Sequence, residues 1–312
     1  MTKLRVLQPG MLTSVQDRGR FGYQDQGVPP AGAMDEYALR AANALCGNSI
    51  REAVLEFTMV GGSYEFVEGG SFALAGADMG ARLNDHGLPL WQQCKAVAGD
   101  RLILGWAKRG CRLYLAISGG IDVPLVLGSR STYLSGKFGG LHGRMLVTGD
   151  ELYSQLGQEK EAALGVFSPD WIPSYESSLT VRVILGPQQG CFTEKGITTF
   201  LENEYSITSQ ADRMGYRLEG QPIQIKGIAD ILTDGVPAGA VQVQSEGQPL
   251  LLLADRQTTG GYAKIACVIG ADLWRLGQTK PGDSIHFQAV NLVEAQAAWR
   301  DLSELWNRWV RS

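Results

Sequence analysis

The chain has 312 residues, of which 44% are hydrophobic and 19% are charged, and its formal net charge is −4. This composition is typical of a globular protein with enough chain for about two domains. It excludes a strongly basic nucleic-acid-binding surface, and no apolar run reaches the roughly 18 residues that a membrane-spanning helix requires.

Five scattered cysteines without a CxxC pair indicate a reducing compartment, so we expect a cytoplasmic protein without a structural zinc site. None of the three histidines stands at metal-ligand spacing from another, and no metal site is expected. A Ser-His-Asp triad would need one of these histidines, and a GxSxG motif is absent. Chemistry is therefore expected from carboxylates, amides, hydroxyls and arginines.

The first polar segment, residues 14–23, brings an amide, a carboxylate and two guanidinium groups together between Gln16 and Arg20. Arginine binds a carboxylate or a phosphate through a planar, two-pronged set of donors. Asp17 and Arg20 are therefore candidate site residues. The alternative is a loop that satisfies itself through an ion pair between these two side chains.

Residues 35–46 predict a helix, because the acidic pair Asp35 and Glu36 suits the N-terminal end of a helix dipole. Gly47 and Asn48 then provide a suitable C-terminal stop. An anion could bind at this N-terminus, but Asp35 itself competes for the same backbone donors. We therefore favour Asp35 as the N-cap residue.

Short segments that are rich in β-branched and aromatic residues and bounded by glycine predict strands. The clearest lie at 101–104, 112–117, 181–185 and 284–287. Gly-Asp pairs stand beside strands at 99–100, 149–150 and 282–283. We expect these aspartates to hold turns, not to act in catalysis. Glu56 lies in another strand-like run, where a solvent-facing position is favoured over a functional carboxylate.

Residues 118–140 form a glycine-rich region that also contains Arg130 and Ser131. Backbone donors and hydroxyl groups in such a region can cradle an anion. The GxxxxGK[ST] spacing of a P-loop is absent, so the region suits a phosphate without being diagnostic of a nucleotide site.

Residues 155–178 are rich in charge, proline and serine, and they predict a linker. We therefore expect an N-terminal domain at 1–157 and a C-terminal domain at 175–312, and the family resemblance described below implies that both are β-barrels. Because strands predominate over helices, the fold class is mainly β, with barrel-like or sandwich domains.

The two halves of the chain echo each other in sequence. Residues 13–23 resemble residues 208–216, and residues 27–33 resemble residues 235–240. We interpret these echoes as an old duplication, with coincidence as the alternative. A duplication would give the Arg213 region the place in the second half that residues 18–20 hold in the first.

Residues 250–262 change abruptly from five apolar residues to a run of polar residues and glycine. The pattern predicts a strand that leaves the core and delivers Gln257, Thr258 and Thr259 to a ligand. Gly260 and Gly261 would allow the backbone to approach that ligand closely. The alternative is a long polar turn that ends in glycines.

Residues 291–310 predict a helix with Trp299, Leu302, Trp306 and Trp309 on one face. A stripe of this kind most often packs against the chain's own sheet. A surface for a partner protein is the alternative.

Several of these segments together resemble the biotin-dependent carboxyltransferase-like family. The similar stretches, in the same order, are 13–23, 27–35, 75–78, 116–133, 212–218 and 255–264. The resemblance covers the chain from about Val6 to Ala295. It implies two cyclophilin-like β-barrel domains, in agreement with the strand-rich pattern, but it does not imply prolyl isomerase activity.

The resemblance to family members of this length implies that the chain takes part in opening 5-oxoproline to L-glutamate with ATP hydrolysis. The implied partners are homologues of 5-oxoprolinase subunits A and B, and ATP is expected to bind in the complex. One alternative is carboxyl transfer from carboxybiotin on a partner, because this chain has no Met-Lys-Met biotin site. The other is non-enzymatic binding of a kinase inhibitor that is homologous to the B-type subunit.

The resemblance also implies roles for residues that match the family's motifs. Catalytic roles fall to Asp17, Asp35 and Arg213. The residues expected to bind substrate or an anion are Arg20, Arg130, Ser131, Tyr216, Gln257, Thr258, Thr259 and Gly261.

Overall fold

Strands dominate the structure, a computed structural model that describes residues 1–155, 165–227 and 230–311. The strands are β1 Lys3–Gln8, β2 Leu12–Gln16, β3 Val54–Thr58, β4 Val60–Glu68, β5 Gly70–Asp78, β6 Arg82–Leu83, β7 His86–Gly87, β8 Gln93–Ala96, β9 Arg101–Trp106, β10 Arg109–Ile117, β11 Glu151–Tyr153, β12 Ser178–Leu185, β13 Glu204–Ala211, β14 Gly215–Glu219, β15 Asp230–Gly235, β16 Ala240–Val243, β17 Pro249–Leu252, β18 Thr259–Tyr262, β19 Lys264–Val268 and β20 Ser284–Ala289. The helices are α1 Glu36–Leu45, α2 Glu194–Glu202, α3 Leu273–Leu276 and α4 Leu292–Arg311. The predicted mainly β class is confirmed.

The chain folds into two units. Unit 1 consists of Met1–Arg20, Ala31–Tyr175 and Leu305–Ser312. Unit 2 consists of Phe21–Pro30 and Glu176–Glu304. Residues 156–164 of the predicted linker lie outside the described residues.

Unit 1 is built from two sheets that share one core. The first has the strand order β11-β1-β4-β9-β6-β7, and the second has the order β2-β3-β10-β5-β8. Leu4 and Leu102 of the first sheet belong to the same buried cluster as Phe57 and Leu113 of the second. Met59, with a φ of 62°, separates β3 from β4 and carries the chain from one sheet to the other. The strands of this half therefore form a two-layered sandwich with a sharp corner, not one closed ring.

Helix α1 packs against β5 and β10 of the second sheet. It begins where predicted, because the Asp35 side chain accepts a hydrogen bond from the backbone N–H of Ala38 at 2.9 Å. Every residue from Tyr37 to Leu45 is buried. The helix thus covers the face of the second sheet that the first sheet leaves open.

Unit 2 contains a closed seven-stranded barrel in the order β12-β19-β16-β17-β14-β13-β20. The ring closes through a parallel pairing of β12 with β20, which joins Ser178 to Ser284 in register. Helix α2 packs on β20, where the rings of Phe200 and Phe287 stack with centroids 4.6 Å apart. Strands β15 and β18 form a separate two-stranded ribbon.

The three Gly-Asp pairs form turns of one design, as predicted. Each glycine has a left-handed φ, at 91° for Gly99, 91° for Gly149 and 92° for Gly282. Each following aspartate accepts a hydrogen bond from the backbone N–H three residues before it. The pairs are Asp100 with Val97 at 2.8 Å, Asp150 with Val147 at 2.8 Å and Asp283 with Lys280 at 3.0 Å. These aspartates are therefore structural.

Gly282→Ala is expected to lower the free energy of unfolding by about 1–2 kcal/mol, because alanine is strained at a positive φ. No neighbouring atom crowds the position of the added Cβ, so the change isolates backbone strain. Gly190→Ala is the matched control, since that exposed glycine has equal space and no positive φ. Urea denaturation of both variants measures the difference, and equal stabilities would contradict the strain argument.

Helix α4 forms over the predicted residues, but its tryptophans do not all face the same kind of surface. In unit 1, Trp309 is buried, with its ring centroid 4.9 Å from that of Tyr37 and 4.7 Å from that of Phe167. Trp306 lies against the Arg40 guanidinium, 3.9 Å from the ring centroid. Trp299 is 44% exposed. The C-terminal part of the stripe therefore packs against α1 and the segment around Phe167 where a sheet was expected.

No helix in the described part of the chain is long and apolar enough to cross a membrane.

Candidate functional site

Asp17, directly after β2, is the centre of a hydrogen-bond network in unit 1. Its Oδ1 accepts from the Gly19 N–H at 2.7 Å and from the hydroxyls of Ser129, at 2.6 Å, and Ser131. Its Oδ2 accepts from the Arg130 N–H at 2.6 Å. The Asp17 N–H donates to the Ser131 hydroxyl at 2.9 Å. The structure thus brings Asp17, Arg130 and Ser131 together, although the sequence placed them in separate candidate sites.

The arginines of this region are held by their own chain. The buried Arg20 side chain donates to the Ser131 carbonyl, and its guanidinium lies 4.9 Å from the centre of the Phe138 ring. Arg130 donates from Nε to the Val123 carbonyl at 3.0 Å. These contacts fix the direction of both guanidinium groups. An anion-binding role for Arg20, Arg130 and Ser131 stays a prediction.

Asp17→Asn is expected to lower the free energy of unfolding by about 2 kcal/mol, because an amide replaces a charged acceptor that receives four hydrogen bonds. The NH2 group of the new asparagine is a donor, and it would face N–H or O–H groups that also donate. Asp25→Asn, at an exposed position, is the control. Thermal unfolding measures the effect, and a variant as stable as the wild-type chain would show that Asp17 does not hold the loop.

Asp35 belongs to a second buried network, together with Glu56 and Tyr114. The Tyr114 hydroxyl accepts from the Asp35 N–H at 2.8 Å and donates to Glu56 Oε2 at 2.7 Å. Glu56 also accepts from the Met34 N–H at 2.9 Å, and its Oε1 lies 3.8 Å from Nε of Arg112. Burial, reinforced by the charges of Glu56 and Asp35, raises the pKa of Tyr114 well above its ordinary value. Tyr114 is therefore a permanent hydroxyl donor.

The solvent-facing position predicted for Glu56 is wrong, because this side chain is fully buried. Strand β3 lies inside its sheet between β2 and β10. One face of that sheet packs on the shared core, and α1 packs on the other. A polar residue on either face of β3 is consequently inside the protein.

In unit 2, Arg213 forms a buried, two-pronged ion pair with Asp255. Its Nε and Nη2 lie 3.0 Å from Oδ2 and 3.0 Å from Oδ1 of that carboxylate. The Asp255 N–H also donates to the Arg213 carbonyl at 2.9 Å. The pair ties the segment after β17 to the turn between β13 and β14. A catalytic role for Arg213 stays a prediction, but its guanidinium has a clear structural partner.

The remaining predicted residues of unit 2 divide between core and surface. Tyr216 is buried and donates from its hydroxyl to the Leu276 carbonyl at 3.1 Å. Gln257 and Thr259 are exposed, and the Thr258 carbonyl accepts from the Val236 N–H at 2.9 Å. Residues 259–262, which include Gly261, form β18 of the ribbon. The structure therefore delivers the polar run of residues 257–261 to the ribbon, while Tyr216 faces the core.

Sequence reasoning missed a polar cluster beside this ribbon. The buried Lys264 donates from Nζ to Asp234 Oδ2 at 2.7 Å, and Gln188 donates to the same oxygen at 3.2 Å. Lys264, followed by the Gly235 N–H, lowers the pKa of Asp234. The buried Gln242 donates from Nε2 to the Tyr262 carbonyl at 3.3 Å. The sequence offers one indication of this cluster, because each of the two strands carries one polar residue among apolar ones. These residues are Gln242 in AVQV of β16 and Lys264 in KIACV of β19.

Comparison with known proteins places this chain in a family. The family model for the carboxyltransferase domain, subdomain A and B, matches residues 26–289, and the chain belongs to this family. The predicted family is thereby confirmed.

Two similar bacterial proteins match the chain over nearly their whole length. The C-type subunit of 5-oxoprolinase from Escherichia coli (strain K12) is 40% identical over 96% of this chain and 94% of that protein. The C-type subunit of 5-oxoprolinase from Haemophilus influenzae is 37% identical over 90% of this chain and 89% of that protein. The chain is therefore similar to proteins named as subunits of an enzyme.

Solved structures of larger proteins contain the same fold. The urea carboxylase of Kluyveromyces lactis matches with a TM-score of 0.92 and 31% identity, over 98% of this chain and 29% of that chain. The urea amidolyase of the same yeast also has a TM-score of 0.92, and the match spans 20% of its length. The chain thus corresponds to one part of these proteins.

Proposed function

We propose that this chain is a subunit of a complex that opens 5-oxoproline to L-glutamate with ATP hydrolysis. The observation that carries the proposal is the 40% identity to a C-type 5-oxoprolinase subunit, which extends over 94% of that protein. In contrast, the urea amidolyase of Lachancea kluyveri is 34% identical, and the match covers 17% of its length. Correspondence from end to end favours the bacterial subunit over the larger enzyme.

The chemistry of the proposed reaction suits the residues that the fold buries. A five-membered lactam is an unreactive amide, and transfer of a phosphoryl group from ATP to its oxygen would make the ring carbon electrophilic. Water then breaks the C–N bond, which yields glutamate, ADP and phosphate. The ammonium group of Lys264 and the amide of Gln242 can orient the oxygen and the N–H of the lactam. Homologues of subunits A and B would complete the site and the binding of ATP.

Omission and restoration of this chain test the proposal. The three-subunit complex is reconstituted, and glutamate release from 5-oxoproline is measured with and without ATP. We expect activity to require this chain and to return when it is added back. A rate that is unchanged without the chain would remove it from the reaction.

Carboxyl transfer is the second candidate, favoured by the TM-score of 0.92 to a urea carboxylase. Biotin would then be carried by a partner protein. Streptavidin blotting of proteins that purify with the chain tests this candidate, together with an assay for decarboxylation of free carboxybiotin. A biotinylated partner and accelerated decarboxylation would support it, and the absence of both would exclude it.

A further inference from the structure

Gln242 and Lys264 are neighbours across two strands of the barrel. They are paired in the register of β16 and β19, so their side chains point to the same face of the sheet. Both residues are buried. The ribbon lies beside them, since Gln242 donates to the Tyr262 carbonyl of β18 and Lys264 donates to Asp234 of β15. A buried amide and a buried ammonium group therefore share one location under the ribbon.

The amide oxygen of Gln242 has an unused capacity to accept a hydrogen bond. Its Oε1 is buried, and no described residue donates to it. The direction of the amide is fixed because Nε2 is the atom that faces the Tyr262 carbonyl, and a flipped amide would oppose two oxygens. A buried acceptor without a donor is costly, and such a cost is typical of positions that serve a ligand.

Gly260 lies beside this amide and adds no side chain of its own there. A Cβ at Gly260 would lie 2.9 Å from Nε2 of Gln242 and 3.0 Å from Nε2 of Gln257. Any other residue would therefore push on both amides. Gln257 is exposed, and its long side chain can move away from Gly260 without disturbing the barrel.

We infer that Gln242 and Lys264 bind a ligand that carries an N–H donor next to a carbonyl or carboxylate oxygen. The ligand N–H donates to Oε1 of Gln242, and the ligand oxygen accepts from Nζ of Lys264. An ammonium group has three donors, so Lys264 can hold the ligand oxygen and Asp234 together. The identity of the ligand as 5-oxoproline, whose lactam presents both groups, rests on the proposed function.

Titration calorimetry with the full chain tests the site. The ligands are 5-oxoproline and its N-methyl analogue, which lacks the N–H, and the variants are Gln242→Leu and the control Gln288→Leu, an exposed position on β20. We expect the wild-type chain to bind the analogue at least about tenfold more weakly than 5-oxoproline. Gln242→Leu should weaken 5-oxoproline binding by a similar factor, without a further loss for the analogue. Gln288→Leu should bind as the wild-type chain does.

A thermal scan separates a ligand site from a structural amide. Leucine removes a buried acceptor that lacks a donor, but it also removes the donor to the Tyr262 carbonyl, so we expect the Tm of Gln242→Leu to stay within about 4 °C of the wild-type value. A lower Tm together with unchanged binding would mean that Gln242 holds only an internal water. If the wild-type chain binds 5-oxoproline and its N-methyl analogue with equal affinity, the proposed recognition of the N–H is wrong. This comparison needs no variant.

Urea and free biotin, which also place an N–H beside a carbonyl, distinguish the site from the proposed function. Binding of either one in place of 5-oxoproline, with the same dependence on Gln242, would keep the site and reject 5-oxoprolinase activity. If the chain alone binds none of the three, the same variants are compared by KM in the reconstituted complex. If Gln242→Leu leaves the KM for 5-oxoproline unchanged in that complex, the inference is wrong. It is also wrong if the N-methyl analogue inhibits the active complex with an inhibition constant equal to the KM for 5-oxoproline. No binding and no turnover in either preparation would overturn it as well.

Discussion

Arg213→Met is expected to lower the free energy of unfolding by about 3–5 kcal/mol, because it leaves the buried carboxylate of Asp255 without its arginine. The two side chains are joined by two contacts of 3.0 Å, and both are almost fully buried. Desolvation of a carboxylate is tolerated only while a cation and hydrogen bonds compensate it. Urea denaturation of the purified chain measures the loss.

The double variant Arg213→Met with Asp255→Leu is the decisive comparison. Removing both charges should recover most of the lost stability, since an apolar pair of similar volume often replaces a buried ion pair at little cost. Arg217→Met, an exposed position on β14, serves as the control and should change stability by less than about 0.5 kcal/mol. If Arg213→Met is as stable as the wild-type chain but inactive in the complex, the catalytic role predicted for Arg213 would gain direct support.

Glu56→Leu is expected to destabilise unit 1 by about 3–5 kcal/mol, because three groups lose their shared acceptor inside the protein. These groups are the Met34 N–H, the Tyr114 hydroxyl and the Arg112 guanidinium. Glu56→Gln keeps an acceptor oxygen but loses the charge, and about 1–2 kcal/mol is expected for it. We therefore also predict that Glu56→Leu lowers the free energy of unfolding more than Glu56→Gln does.

Chemical denaturation and near-ultraviolet circular dichroism follow these variants. Tyr114 lies against the start of α1 through its contact with the Asp35 N–H, so the aromatic signal should change with Glu56→Leu. Glu68→Leu, at the exposed end of β4, is the control and should leave both measurements unchanged. A Glu56→Leu variant with wild-type stability would show that the network contributes little to the fold.

Features that depend on neighbouring residues alone were predictable from the sequence. The Gly-Asp turn at Gly282 needs only a left-handed residue followed by a short acceptor, and both are local properties. The start of α1 is equally local, because Asp35 caps the helix that follows it. The echo between halves also has a structural counterpart: Asp17 and Asp212 each accept from the N–H two residues later, at Gly19 and Met214.

Features that depend on which elements cover a residue were not predictable. Glu56 reads as solvent-facing in its own strand, and only the packing of α1 on the second sheet puts that face inside. Gln242 and Lys264 are 22 positions apart and meet through the register of the barrel. The ion pair of Arg213 with Asp255 joins residues from different turns, and neither residue type reveals its partner. The polar run around Gln257 leads into the ribbon and lies beside a cluster that the sequence did not show, and its contact with a ligand stays a prediction.

Each unit includes a short segment from outside its main stretch of sequence, and this limits where recombination can divide the chain. Phe21–Pro30 belongs to unit 2, and Leu305–Ser312 belongs to unit 1. A gene break between residues 175 and 176 would separate Trp309 from the rings of Tyr37 and Phe167. Recombination at that position would therefore divide unit 1 and leave its aromatic contacts incomplete. The matches in the yeast enzymes include both units, since 98% of the chain recurs as one part of a much longer protein.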